Sequence, residues 1–145
     1  MKKIISVAVI LFALNSIAIA QENERHENIK VPPVVKSALD KKYPESKKVT
    51  WEKENGNYEA NWGGKSGEDN SVQFTPSGSF IEIVNAIPVS ELPQPVFTYV
   101  KQHYKGVKIT EAGKVTDAQG KLSYEAEIKG RDVIFDKDGN FVKSE

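Results

Sequence analysis

Asp136, Asp138 and Asn140 alternate around Gly139 in VIFDKDGNFV, residues 133–142, in the manner of a calcium loop. An EF-hand loop needs oxygen ligands at positions 1, 3 and 5 and glycine at position 6. Counted from Asp136, the glycine here comes fourth. The stretch FTPSGSF, residues 74–80, has the same glycine between flanking aromatics and no carboxylate. What the two share is a hairpin requirement, a residue with positive φ at the turn. The sequence therefore predicts a turn at residues 136–140. A weak metal site at Asp136, Asp138 and Asn140 is the alternative, and no cofactor is expected.

Other chemistry is sparse. Gly64-Lys65-Ser66 resembles the end of a phosphate loop, but the earlier glycine that such a loop requires is replaced by Glu59. His26 lies in a polar stretch, and His103 lies near the end of a predicted helix, where a cation suits the helix dipole. Neither has metal-ligand spacing. Glu52, Glu54, Glu59, Glu125 and Glu127 fall on predicted strands, and two carboxylates can hydrolyse a glycoside. Alternation places several of them on an exposed face, where charge is ordinary. No serine sits in a nucleophile elbow. Cysteine is absent, which removes thiol catalysis, thiolate metal sites and disulfides. A non-enzymatic protein is expected.

What remains is aromatic. Trp51, Tyr58, Trp62 and Tyr124 lie on neighbouring predicted strands. Facing helices, they are core; facing away, they form a surface of the kind that carries binding hot spots. Parity alone leaves the face open. With Lys65, in a mobile hairpin loop at residues 63–71, they are the partner-binding candidates.

The elements that must position them come twice. Pro32, Leu39 and Tyr43 match Pro93, Val100 and Tyr104, and Phe74, Gly78 and Phe80 match Phe135, Gly139 and Phe141, every pair 61 apart. Val31, Val34, Val35, Ala38, Leu39 and Tyr43 recur at helical steps, with Pro32 and Pro33 at the start and Pro44 at the end. Leu92, Val96, Val100 and Tyr104 make a second stripe, opened by Pro93 and Pro95 and stopped by Gly106. After each helix the pattern alternates in short runs separated by turn residues such as Asn55-Gly56, Gln119-Gly120 and Lys129-Gly130. The expected fold is α+β. Two tandem repeats, about 31–87 and 88–145, each hold a helix and a four-stranded antiparallel sheet. Together they form one curved sheet with the helices on one face.

Lys2 and Lys3, the apolar run from Ile4 to Leu14 and Ala18-Ile19-Ala20 read as a signal peptide, residues 1–20. The run is short for a membrane span, which needs about 20 apolar residues, so no stable membrane insertion is expected after cleavage. Residues 21–30, QENERHENIK, read as a flexible leader before one domain, 31–145. The chain holds 20 basic and 20 acidic residues, and loss of Lys2 and Lys3 with the signal peptide shifts the balance slightly negative. That excludes an electrostatic footprint for nucleic acid. The expected address is periplasmic or secreted.

VPPVVKSALDKKYPESKKVTWEKENGNYEANW, followed by VQFTPSGSF, resembles the PepSY-like family of β-lactamase-inhibitor-like exported proteins. The matching features are the helix opened by Pro32, Tyr43-Pro44, Val49-Thr50-Trp51-Glu52, Tyr58-Glu59-Ala60 and the Gly78 turn. The second copy runs from Leu92-Pro93 to Gly139-Asn140-Phe141, with Lys105 in place of Pro44 and Glu111 near the Trp51 position. The resemblance implies an exported binding module for an unknown protein or peptide, inhibitor-like or modulatory, using the open sheet face. A small-ligand or ion-binding envelope protein is the alternative.

Overall fold

The computed structural model describes residues 29–144. The expected signal peptide, residues 1–20, and most of the expected leader, residues 21–30, lie outside the described residues. Helix α1 spans Pro33–Lys42, followed by β1 Thr50–Glu54, β2 Asn57–Trp62, β3 Asn70–Phe74 and β4 Phe80–Ala86. A 3-10 turn, Val89–Glu91, leads into α2, Gln94–His103. Then come β5 Ile109–Asp117, β6 Leu122–Ile128, β7 Arg131–Asp136 and β8 Phe141–Ser144. The strands form one antiparallel sheet in the order β1 to β8, each beside its neighbour in sequence.

Proline opens both helices because the first turn needs no amide donor. The Pro32 carbonyl accepts from Val35 and Lys36, and Tyr43 closes α1 through its N–H to the Leu39 carbonyl at 2.7 Å. Pro44 follows and disfavours further helix. The second helix repeats this: the Pro93 carbonyl accepts from Val96, and the Tyr104 N–H donates to the Val100 carbonyl at 2.8 Å.

Each helix covers its own apolar cluster. Val35 and Leu39 of α1 lie on Tyr58, Ala60, Trp62, Val72 and Phe74. Val96 and Val100 of α2 lie on Ala112, Ala126, Ile128, Val133 and Phe135. The register shows that both clusters are on the same face. Ala60 pairs with Val72, Val72 with Ile83, Ile83 with Thr116 and Thr116 with Leu122, and directly paired residues share a face. Among the described residues, one face is therefore covered by helices and the other carries none, as the single apolar stripe of each helix requires.

The turns hold the helices to the strands. Gly78 and Gly139 both have φ +84. A Cβ on Gly78 would come within 3.0 Å of the Val34 carbonyl oxygen, and one on Gly139 within 3.0 Å of Pro93 and 3.2 Å of Pro95. Both turns press against a helix start, so glycine is needed for conformation and for space. One strand departs from expectation. The sequence pattern supports strand only at Val107 and Ile109, yet β5 runs nine residues, Ile109–Asp117. Pairing with β4 and β6 on both sides overrides the weak local propensity of Glu111-Ala112-Gly113.

Candidate partner interface

The aromatic candidates lie on the helix-covered face. Tyr58 and Trp62 are buried in the α1 cluster, and Trp51 packs half-buried against them. The Trp62 ring meets Tyr43 at 5.5 Å between centroids. Tyr124 pairs with Phe135 and packs under α2. These side chains stabilise the core, so the open-face surface is built from other residues. Lys65 is exposed in the loop between β2 and β3. The ends of that loop are tied: the Asn70 amide donates to the Trp62 carbonyl at 3.2 Å, and the Ala86 N–H to the Asp69 carbonyl at 2.9 Å.

The helix-free face is acidic. Glu52 pairs with Glu59, Glu59 with Gln73, Gln73 with Glu82 and Glu82 with Asp117, a continuous row across five strands. Glu127 pairs with Asp132, and Glu125 stands two residues from Glu127 on the same side. Three cross-strand pairs thus set carboxylate directly opposite carboxylate: Glu52–Glu59, Glu82–Asp117 and Glu127–Asp132. Taken alone such a pair destabilises a sheet, but Glu82 and Asp132 each have a further partner. Neutral neighbours moderate the charge: Ser71 donates to Glu59 and Gln73 to Glu54, each at 2.7 Å. Exposed lysines lie on the helices, at Lys36, Lys41, Lys42 and Lys101, and on this face at Lys143, which pairs with Ile134.

A hollow of about 200 Å³ opens on this face near β8. Val115 and Ile134 line it, with Glu82, Asp117, Glu125 and Asp136 around them and Lys121 and Lys143 at the side. Apolar contact below and carboxylates around suit the stem and head of a lysine or arginine side chain. The sequence pattern pointed to Glu52, Glu54, Glu59, Glu125 and Glu127 on strands. It missed Glu82, Asp117 and Asp132 as their companions, because only register reveals which carboxylates stand opposite.

Asp136 belongs to a turn. Its Oδ1 accepts from the backbone N–H groups of Asp138 and Asn140, both at 2.9 Å, and the Asn140 amide donates to Oδ2 at 3.0 Å. Asp138 is held by Lys137 at 2.7 Å. The Asn140 side chain and then its backbone N–H hold the Asp136 carboxyl below the ordinary aspartate range. Thr75 fills the same place at the β3–β4 turn, where its Oγ1 accepts from the Ser79 N–H at 3.1 Å. Among the described residues no three His, Cys, Asp or Glu side chains gather as a metal site. Glu111 shifts the other way: burial, then the nearby charges of Glu127 and Glu68, raises its carboxyl.

A family model described as "Putative beta-lactamase-inhibitor-like, PepSY-like" matches residues 64–143. The chain belongs to the PepSY-like family. This PepSY-like fold recurs in solved structures. One, described as "putative periplasmic proteins" from Bacteroides eggerthii, shares 18% identity and a TM-score of 0.66 over 80% of this chain and 88% of that one. A DUF2874 family protein from Bacteroides ovatus gives 17% identity and a TM-score of 0.64, over 81% and 88%. A BLIP-like protein from Bacteroides fragilis gives 17% and 0.60, over 82% and 88%. At these identities the likeness is one of fold. No curated protein matches the PepSY-like chain.

Proposed function

We propose that this PepSY-like chain is an exported, non-enzymatic binding module that takes a basic segment of a partner protein on the helix-free face of its sheet. The carrying observation is the set of acid–acid cross-strand pairs. Carboxylates gathered on one face complement a cationic partner electrostatically. The hollow over Val115 and Ile134 receives one lysine or arginine of that partner. Export rests on the N-terminal pattern MKKIISVAVILFALNSIAIA and accords with the periplasmic description of a fold neighbour.

The two halves read as copies of one helix-plus-four-strand unit. Support comes from the offset of 61 between Phe74 and Phe135 and between Gly78 and Gly139. It also comes from the register shifts at Gln73/Phe74 and Ile134/Phe135, again 61 apart.

The test is capture from periplasmic extract on the immobilised protein and on an E82Q/D117N/E125Q variant. A basic protein held by the first, lost by the second and released by salt supports the reading. Equal capture by both sinks it.

A further inference from the structure

Charge is sorted by face, and a formal net charge of zero conceals it. Lys53 pairs with Tyr58, Lys114 with Tyr124 and Arg131 with Ile128. Those partners belong to the clusters under the helices, so the three cations share the helix-bearing face, and all three are exposed. The carboxylate pairs described above stand on the other face. The helices carry Lys36, Lys41, Lys42 and Lys101, all exposed, on the same side as those cations. The connections that follow them add the exposed Lys47, Lys48, Lys105 and Lys108. Asp40 on α1, Glu45 after it and Glu91 before α2 interrupt the lysines. Val34 of α1 is 51% exposed and lies two turns before Lys41 on the same stripe.

Lysine is depleted from protein interfaces, and a single fixed phosphate is better gripped by the fork of arginine. Point charges on flexible stems suit a surface where phosphates are many and mobile, and there each lysine adds its own share of attraction. We propose that the helix-bearing side docks peripherally on an anionic phospholipid bilayer, with the lysine ammonium groups among the headgroups and Val34 against them. That the bilayer is one of the cell envelope rests on the export proposed above. Among the described residues no helix is long and apolar enough to cross a membrane, and docking of this kind needs none. The same headgroups repel the acidic face. It therefore turns away from the bilayer and stays open to its partner.

The test is sedimentation with vesicles, using protein purified from the periplasm so that the exported form is the one measured. Vesicles of phosphatidylglycerol and phosphatidylethanolamine are expected to carry it down in low salt and to release it in high salt. Vesicles of phosphatidylcholine are expected to leave it in solution. Lys36→Gln with Lys41→Gln, both at exposed positions, is expected to weaken binding by about tenfold or more. The matched pair Lys121→Gln with Lys143→Gln, beside the hollow on the other face, is expected to leave it unchanged. No binding to either vesicle, equal binding to both, or equal losses from the two pairs would each overturn the proposal. So would self-association in low salt that Lys36→Gln with Lys41→Gln abolishes, without vesicle binding; that result would assign this side to the acidic face of a second copy. Capture of a basic partner is decided separately, by Glu82, Asp117 and Glu125.

Discussion

Phe80 and Phe141 each follow a glycine turn, yet they meet different surroundings. Phe80 is half-buried, edge-on to Phe74, with the Lys42 ammonium 4.2 Å above its ring. Phe141 is 42% exposed and lies flat on Tyr99. Ala38 and Lys42 occupy the first-half positions of Tyr99 and His103. Beneath them the halves agree: Val35 and Val96, Val72 and Val133, Phe74 and Phe135 are all fully or nearly fully buried. Packing leaves core positions little choice of size, whereas the rim tolerates new chemistry. The difference between the halves is therefore concentrated at the exposed rim.

The sharpest test of that likeness is in the cores. Phe74→Ala and Phe135→Ala should each cost about 3–5 kcal/mol in denaturant melts. A much smaller loss at one site would show that the two clusters do not carry equal weight. Gly78→Ala and Gly139→Ala come next, at about 1–3 kcal/mol each from the positive φ and the crowded turn. Unequal losses would show that one turn yields where the other does not. Tyr99→Ala makes the second half resemble the first at that position. It removes the ring contacts with Phe135 and Phe141, worth about 0.5–1.5 kcal/mol per pair. Ala38→Tyr, read in the same melts, shows whether the first half accepts the ring.

Two smaller effects depend on pH. The folded Asp136 carboxyl titrates below its unfolded value, near 3.9, so its contribution is present above that pH and is lost as pH falls through the folded value. Asp136→Ala should thus lower the melting temperature at neutral pH, with the gap closing below about pH 4. Thr75→Ala, at the matching turn, should show a gap that does not vary with pH. Glu111 has the opposite sign: its raised carboxyl makes the ionised form unfavourable in the folded state. Glu111→Gln should stabilise at neutral pH, and the gain should fade as pH falls through the raised folded value and be gone below about 4.3.

The helices, the turns and the division into short strands were legible because their signals are local. Proline at each start, periodic valine and leucine, and glycine between aromatics need no knowledge of distant residues. Most of β5 was not legible, since Gly113 and Glu111 argue against strand until β4 and β6 flank them. The face taken by Trp62 and Tyr58 was likewise hidden: alternation groups side chains but does not say which group meets a helix. The acidic face needed register as well, because Glu82 and Asp117 are distant in sequence and adjacent only across β4 and β5.

The order β1 to β8 without crossovers has a kinetic meaning. Every ladder joins strands next to each other in the chain, and only β4–β5 closes over a longer connection, the segment that holds α2. The cluster under α1 draws on residues no later than Ile83 and so does not depend on α2. The growing sheet then offers β4 as a ready template, and the second half lengthens an assembled edge rather than nucleating a new one.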